Sequence, residues 1–358
     1  MKSIILTGGG TAGHFTPLLA LLPELRKRFD EVHFAGRGAG VERELAEGTG
    51  MIYHALGGPR LERGKVFRNL GVPFALMRAV KNARRLLDEI RPDVVFSKGG
   101  YVALPLALAC KRVPLVIHES DTSLGLANCL SARRAVAICS SFPLPRAGGK
   151  DVLRTGSPLR AGLYAGDRKR ALAACGFSGK KKVLLVTGGS LGAEAIARAV
   201  ERNADALTER YDVIHLCGRG KALRPRAGYA PVGFTTSVAD YFAAADLALT
   251  RAGGNTLFEL GALGVPMLIV PLPKGASRGD QVENAAFFSG RGLALELDQS
   301  ELDGGLLSAL RRLERAAPDL IAAMSRYPFD GTDAVLDVIY RAAERAGSPQ
   351  NACNGAVL

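Results

Sequence analysis

Three features of the sequence predict two doubly wound α/β domains. Strand-length apolar runs alternate with helix-length amphipathic segments from end to end, the pattern of a parallel sheet covered by helices. The chain opens with an apolar run, Ile4-Ile5-Leu6, a glycine turn, Gly8-Gly9-Gly10-Thr11-Ala12-Gly13-His14, and a helical segment. The same strand–glycine–helix opening returns near the middle, as Val183–Thr187 followed by Gly188-Gly189-Ser190-Leu191-Gly192-Ala193. A chain of 358 residues is long enough for two such domains, each with its own core.

In the first half the expected strands are Ser3–Thr7, Glu31–Ala35, Met51–Ala55, Asp93–Ser97, Leu115–His118, Ala135–Ile138 and Val152–Thr155. In the second half they are Val183–Thr187, Asp212–Leu216, Asp246–Thr250, Pro266–Val270 and Leu293–Leu297. The hinge falls between about Gly156 and Arg168, so the domains are read as residues 1–160 and 161–332. A last helix, residues 333–346, is read as one that can cross back to the first domain, and the polar tail 347–358 as disordered. Ligands of open α/β sheets bind at the carboxyl ends of strands beside the switch in strand order. In a 3-2-1-4-5 order the loops there are Gly8–His14 and Ser97-Lys98-Gly99-Gly100-Tyr101, with His118-Glu119 delivered by the fifth strand. His14, Tyr101 and Glu119 are therefore expected on one rim.

Composition narrows the classes. No run reaches the roughly 18 apolar residues of a membrane span, and the Met-Lys start is too short for a secretory signal. Six cysteines lack a C-x-x-C pair and are expected to be reduced thiols rather than disulfides or zinc ligands. Of the net charge of +13, residues 1–160 carry +11, which suits an anionic partner for the first half.

The glycine turns bring backbone N–H groups to a helix N-terminus, where anions bind. Gly8-x-Gly10-x-x-Gly13 also fits the dinucleotide fingerprint, but Ala35-Gly36-Arg37 stands where an acid for the ribose is expected. An NADP-dependent oxidoreductase is thereby weakened, and the second glycine turn argues against it further. The most specific segment is Thr250-Arg251-Ala252-Gly253-Gly254-Asn255-Thr256-Leu257-Phe258-Glu259. Its helix start suits a diphosphate, and Glu259 can accept both hydroxyls of a ribose or, more blandly, favour the helix dipole. No Asp-x-Asp and no metal-ligand spacing occurs, so a departing nucleotide diphosphate would be stabilised by helix N-termini and arginines, Arg160 foremost, with no metal or cofactor.

The segment Arg60–Arg85 holds eight Lys/Arg and one acid among Val66, Phe67, Leu70, Val72, Phe74, Leu76 and Met77. It suits docking on an anionic bilayer, or equally a core-facing helix with a solvated basic side. With two aromatics and no binding motif, nucleic acid is not expected as a partner.

Together these stretches resemble the MurG family of GT-B glycosyltransferases. The resemblance runs over about residues 3–345 through Gly9–His14, Gly99-Gly100-Tyr101, His118-Glu119-Ser120-Asp121 with Gly125–Asn128, Gly156–Arg160, Gly188–Ala193, Arg251–Glu259 and Asp280-Gln281 with Asn284-Ala285. It implies two Rossmann-like domains facing across a cleft. It implies an inverting hexosyltransferase moving N-acetylglucosamine from UDP-N-acetylglucosamine to the C4 hydroxyl of undecaprenyl-diphospho-muramoyl-pentapeptide (lipid I to lipid II). Such an enzyme serves peptidoglycan synthesis as a peripheral protein on the cytoplasmic face of the cell membrane. By the same resemblance the Thr235 backbone reads the uracil, Glu259 the ribose, and Ser190, Leu191, Gly192 with Gly253, Gly254, Asn255 and Thr256 the diphosphate. Asp280, Gln281 and the Asp121–Asn128 loop read the sugar, and Thr11, Ala12 and Gly13, with Tyr101 nearby, the acceptor diphosphate. Ala12, Leu191, Asp280 and the Ser120-Asp121 pair depart from the common family residues, which leaves the Asp121 contact open. His14 is the candidate base, and Glu119 orients it or replaces it. A glycolipid synthase or non-hydrolysing epimerase on the same scaffold is the alternative.

Overall fold

The computed structural model describes residues 1–9, 12–38, 41–57, 71–160, 162–188, 193–218, 223–275 and 279–346, excluding the side chains of 12–14, 41, 42 and 45. It divides into two compact units, Met1–Pro158 with the segment from Asp330, and Leu159–Phe329.

The first unit contains β1 (Ser3–Thr7), β2 (Glu31–Gly36), β3 (Ile52–Ala55), β4 (Val94–Ser97), β5 (Leu115–Glu119), β6 (Ala137–Ser140) and β7 (Leu153–Arg154). They form one parallel sheet in the order β3-β2-β1-β4-β5-β6-β7. The expected 3-2-1-4-5 order is thus continued by two more strands. Successive residues of a strand point to opposite faces. Ile4 and Leu6 of β1 accordingly pack with Phe15, Leu18 and Phe34, whereas Ile5 packs with Val95, Leu106 and Ile117. Burial on both faces is why the strands read as unbroken apolar runs rather than alternating ones. β6 begins two residues later than the run Ala135–Ile138 suggests. The backbone is still turning there, with the N–H groups of Arg134 and Ala135 both donating to Ser131 O at 2.9 and 3.1 Å.

The helix Thr332–Ala346 inserts Val335, Leu336, Ile339 and Ala342 into the cluster that holds Ile4 and Leu6. Its Tyr340 hydroxyl donates to Glu24 O at 3.1 Å. Where the chain leaves and re-enters this unit, Ser157 and Asp330 form a parallel bridge. Only glycine fits beside it, because a Cβ on Gly331 would lie 2.5 Å from the Gly156 carbonyl carbon.

The second unit contains β8 (Lys182–Thr187), β9 (Tyr211–Leu216), β10 (Tyr229–Val232), β11 (Leu247–Thr250), β12 (Met267–Ile269) and β13 (Leu295–Glu296), in the order β10-β9-β8-β11-β12-β13. β8 and β11 are neighbours, as β1 and β4 are in the first unit. β10 is absent from the sequence expectation. It holds Pro231, which removes a ladder donor and is tolerated because β10 is the edge strand. The helix Gly254–Ala262 rests on an aromatic cluster, Phe258 edge-on to Phe288, Tyr327 and Phe329. That packing fixes the direction in which the helix start points.

Candidate active site

Two sites arise, one in each unit, both at carboxyl ends of the paired central strands. In the first unit the loops after β1 and β4 touch backbone to backbone. Gly99 and Gly100 have φ of 75° and 83°, and a Cβ on Gly100 would fall 2.1 Å from Gly9 O. Glycine is required there both for its conformation and for the closeness of approach. The β1–β4 ladder extends into this turn, with Lys98 N donating to Thr7 O at 2.8 Å. Tyr101 follows, and its hydroxyl accepts from Arg37 Nη1 at 3.4 Å.

Glu119, the last residue of β5, is buried. Its carboxylate accepts from Ser120 N (2.9 Å), Asp121 N (3.3 Å), Gly125 N (2.8 Å) and Asn128 Nδ2 (2.9 Å). Those four donors wrap the Ser120–Gly125 loop around one carboxylate. An imidazole-orienting or base role for Glu119 is not what this geometry provides, because the lone pairs are already committed to the loop. Asn128, also buried, spends its second Nδ2 hydrogen on His118 O at 3.1 Å and lies against the Cα of Gly99.

Beneath these loops lies a buried ammonium. Lys98 Nζ donates to His118 Nδ1 at 2.7 Å and to Ser120 Oγ at 2.5 Å. His118 Nε2 contacts Gly156 O at 3.0 Å, and since a carbonyl only accepts, Nε2 carries the hydrogen and Nδ1 the lone pair. Burial pulls the Lys98 ammonium down to a pKa of about 8, opposed by the charges of Glu119 and Asp121. Burial and the Lys98 charge together hold His118 well below the usual imidazole range, so it is neutral.

In the second unit, β11 ends at Thr250, and the helix starting at Gly254 is capped by Gly253, which has no side chain to offer. Its first-turn N–H groups lack intrahelical acceptors. Glu259 is buried one turn further along, and Arg160 reaches it with Nε to Oε1 at 3.1 Å and Nη2 to Oε2 at 3.4 Å. Burial raises the Glu259 carboxyl above its ordinary value, and the Arg160 guanidinium opposes that shift. Under the same turn lies Arg251, buried, donating to Val270 O (3.0 Å), Pro271 O (3.2 Å) and Gln299 Oε1 (2.7 Å). Asn284 Nδ2 donates to Ala252 O at 3.0 Å and so pins the turn from the following helix. Among the described residues, no group of three or more His, Cys, Asp or Glu is placed to hold a metal ion.

Comparison with known proteins decides what these paired sites belong to. The N-terminal domain of glycosyltransferase family 28 matches residues 4–140, and its C-terminal domain matches residues 183–335. A UDP-N-acetylglucosamine–N-acetylmuramyl-(pentapeptide) pyrophosphoryl-undecaprenol N-acetylglucosamine transferase from Lachnospira eligens is 40% identical over 352 residues, 95% of this chain and 99% of the relative. Its counterpart from Clostridium botulinum is 38% identical over 339 residues, 92% of this chain and 96% of the relative. The crystal structure of Acinetobacter baumannii MurG superimposes with a TM-score of 0.72 at 26% identity, covering 95% of this chain and 100% of that one. The chain belongs to the MurG family of glycosyltransferases. Its fold is GT-B, also shared at 19% identity and a TM-score of 0.67 with a kitacinnamycin glycosyltransferase.

Within this MurG-family chain the anticipated residues fall into three groups. Gly253, Gly254, Asn255, Thr256 and Glu259 share one helix start, with Arg160 on Glu259. Asp121 and Asn128 are both held by Glu119, but only Asp121 lies in the loop, Asn128 standing on the helix Leu126–Ser131 rather than in the loop expected to run to it. Others stand apart. Thr235 lies in the loop after the edge strand β10, its Oγ1 accepting from Ser237 N at 3.1 Å. Gln281 Oε1 accepts from Leu272 N at 3.1 Å, one residue after Asp280 opens the helix Asp280–Ser289. Ala12, Gly13 and His14 form the first turn of the helix Ala12–Arg28. Thr11, Ser190, Leu191 and Gly192 lie outside the described residues, as do Phe67 and Leu70. Sequence reasoning gave no role to Lys98 or Arg251. Their signal was a cation immediately after an apolar strand and before a glycine turn, a place where burial is enforced by the sheet.

Proposed function

We propose that the two sites divide one transfer reaction between them, the second unit holding the nucleotide sugar and the first the acceptor. The chain is an N-acetylglucosaminyltransferase of peptidoglycan synthesis. It transfers N-acetylglucosamine from UDP-N-acetylglucosamine to pyrophosphoryl-undecaprenol-linked N-acetylmuramyl pentapeptide. The observation that carries the donor assignment is the Arg160–Glu259–Gly253 cluster. A buried carboxylate suits the two ribose hydroxyls, which donate to it, and the uncapped helix start with Arg160 and Arg251 suits the diphosphate. Thr235, Asp280 and Gln281 lie on loops and helix starts of the same unit, as readers of uracil and sugar.

In the first unit, Ala12 and Gly13 begin the helix that would hold the acceptor diphosphate, and His14 stands in its first turn. The acceptor hydroxyl must lose its proton as the new bond forms, and His14 is the base, imidazole being the side-chain type best suited to take a proton near neutral pH. The sugar is inverted by direct displacement. The departing UDP is stabilised by helix N–H groups and arginines.

The exposed face of the helix Val72–Ile90 supports membrane docking of the first unit. Phe74, Met77, Arg78, Lys81 and Arg85 are exposed and follow one another at helical spacing, while Ala79, Ala83, Leu86 and Leu87 face the core. No described helix is long and apolar enough to cross a membrane. We read the chain as peripheral on the cytoplasmic face, where its donor is. Titration of UDP-N-acetylglucosamine, UDP and NADPH into the protein with a metal chelator present tests the donor reading. The two uridine nucleotides should bind and NADPH should not. NADPH binding, or a strict requirement for a divalent ion, would overturn it.

A further inference from the structure

Under the loops at the carboxyl ends of β4 and β5 lies a buried cation that the transfer mechanism above does not use. We propose that Lys98 is a positioning residue for the transfer, fixing from below the Ser120–Gly125 loop beside the proposed acceptor site. The inference rests on the transferase reading. Its geometric basis is independent of that reading.

Lys98 stands where β4 ends, one residue before the Gly99-Gly100 turn that meets Gly9. Its side chain runs under β5 rather than out to solvent, and Nζ bonds both to His118 within the strand and to Ser120 at the start of the loop. His118 relays the contact to Gly156 O, next to Ser157 and Pro158, where the chain leaves the unit. A single ammonium therefore ties the start of the loop to the base of the segment that leads to the second unit. From the other side, Glu119 grips Ser120, Asp121, Gly125 and Asn128. The loop is held between a buried carboxylate and a buried ammonium.

Burying a lone ammonium is costly, and burying one beside an unused carboxylate is no better unless each is also hydrogen-bonded. Here Glu119 accepts four hydrogen bonds, and Lys98 has two acceptors chosen to be neutral, an imidazole nitrogen and a hydroxyl. A purely structural site would be served as well by an apolar side chain. Retaining a charge there makes sense when the loop above must be rigid and must face an anionic, polar substrate. The groups facing Lys98 are His118 and Glu119 on β5, Asp121 in the loop and Cys139 on β6. Of these the two carboxylates favour its charged form, against burial. His118 stays neutral throughout the relevant range. Lys98 is thus the group in this cluster whose charge changes near pH 8.

The experiment compares wild type, Lys98→Met and Ser120→Ala in steady-state transfer to the lipid-linked acceptor from pH 6 to 9.5, with UDP affinity measured alongside. In wild type, kcat/KM for the acceptor should fall through about pH 8 to a lower plateau as the ammonium deprotonates. Lys98→Met should lie at or below that plateau at every pH, roughly 10-fold or more under wild type at pH 7, with no limb near 8. UDP affinity should stay within about twofold, since the proposed donor site is built from residues of the second unit and shares no partner with Lys98. If Lys98→Met does not fold, Ser120→Ala carries the test. It keeps the charge and one hydrogen bond, and it should lose about threefold to 10-fold in kcat/KM with the limb near 8 retained. A limb that survives in Lys98→Met, or unchanged acceptor kinetics in a folded variant, overturns the proposal. A wild-type protein without transfer activity would instead overturn the functional reading on which it rests.

Discussion

Arg160 and Glu259, 99 residues apart in sequence, face each other through two hydrogen bonds of 3.1 and 3.4 Å. The carboxylate is almost wholly buried and the guanidinium about a quarter exposed, so the arginine forms the solvent side of the pair. This arrangement sets the rotamer of Glu259 before any ligand arrives. On the proposed reading, a ribose reaches the oriented carboxylate past Arg160, and the same guanidinium stands beside the diphosphate.

Donor affinity should therefore depend on Glu259 more than on any single polar contact at the rim. Glu259→Ala should weaken UDP-N-acetylglucosamine binding by roughly 1.5–3 kcal/mol, the usual worth of hydrogen bonds to a charged group. Because burial raises the Glu259 carboxyl, the charged acceptor is lost as pH falls through a range above the ordinary glutamate value. Calorimetric titration should show wild-type affinity declining as pH is lowered, before the ordinary glutamate range is reached, with that decline absent in Glu259→Gln. Unchanged affinity in Glu259→Ala would remove the ribose assignment.

Gly100→Ala should act on the first unit alone. Its added Cβ would lie 2.1 Å from Gly9 O, a backbone atom that cannot step aside, at φ 83°. Left-handed backbone alone costs a non-glycine residue roughly 1–2 kcal/mol, and the overlap adds to it. Thermal unfolding should show a loss above about 2 kcal/mol together with lost transfer, while UDP affinity is kept. Gly99→Ala meets the Asn128 amide instead, at 2.7 Å, a side chain rather than backbone, which can shift only by giving up its bonds to His118 O and Glu119. It should be the milder variant, although its φ of 75° still carries strain.

His14 and Glu119 should separate kinetically. Removing a base costs roughly 10²–10⁴ in kcat, and His14→Ala should show that loss with donor Kd unchanged. Glu119 holds three loop N–H groups and the Asn128 amide of the following helix, so Glu119→Gln, which converts one acceptor oxygen to a donor, should loosen the Ser120–Gly125 loop and raise acceptor KM. Near-normal kcat in His14→Ala, with kcat lost in a well-folded Glu119→Gln, would return the base role to the carboxylate.

How much of this was legible beforehand follows the range of the interactions involved. The alternation of strands and helices is local, and it stands in the fold as read, while parts of both glycine turns lie outside the described residues. β10 was invisible because Pro231 suppresses the strand pattern, and only its edge position makes the proline harmless. The start of β6 slipped because Ala135 is apolar yet its N–H still bonds back to Ser131 O, and Val136 is the first residue to bond to β5, through Leu115 O. At the sites, residue identities were readable but pairings were not. Arg160 and Glu259 were each singled out without any sign that they touch. Glu119 was read by its chemistry as an acid–base group, whereas its neighbours in space make it the anchor of a loop. Lys98, a residue type expected in solvent, is buried by the sheet it ends, and its one local sign is its place between an apolar strand and a glycine turn.

The last prediction concerns the membrane. Phe74 and Met77 are 72% and 61% exposed on the helix Val72–Ile90, with Arg78, Lys81 and Arg85 continuing the same face. Two large apolar side chains in water beside three cations make sense if the apolar pair enters an interface whose anionic headgroups meet the basic ones. Phe74→Ser with Met77→Ser should leave the unfolding temperature nearly unchanged, since both side chains already face solvent. It should reduce co-sedimentation with vesicles containing anionic lipid. Charge reversal at Lys81 and Arg85 should instead act through the salt-sensitive part of binding, because exposed charges are screened over about 8 Å at physiological ionic strength. The two effects are separable by titrating salt. At high salt the residual binding should belong to Phe74 and Met77, and the serine variant should have none. If the serine variant instead unfolds, or sediments as wild type does, the face is not a membrane surface and the basic residues only solubilise it.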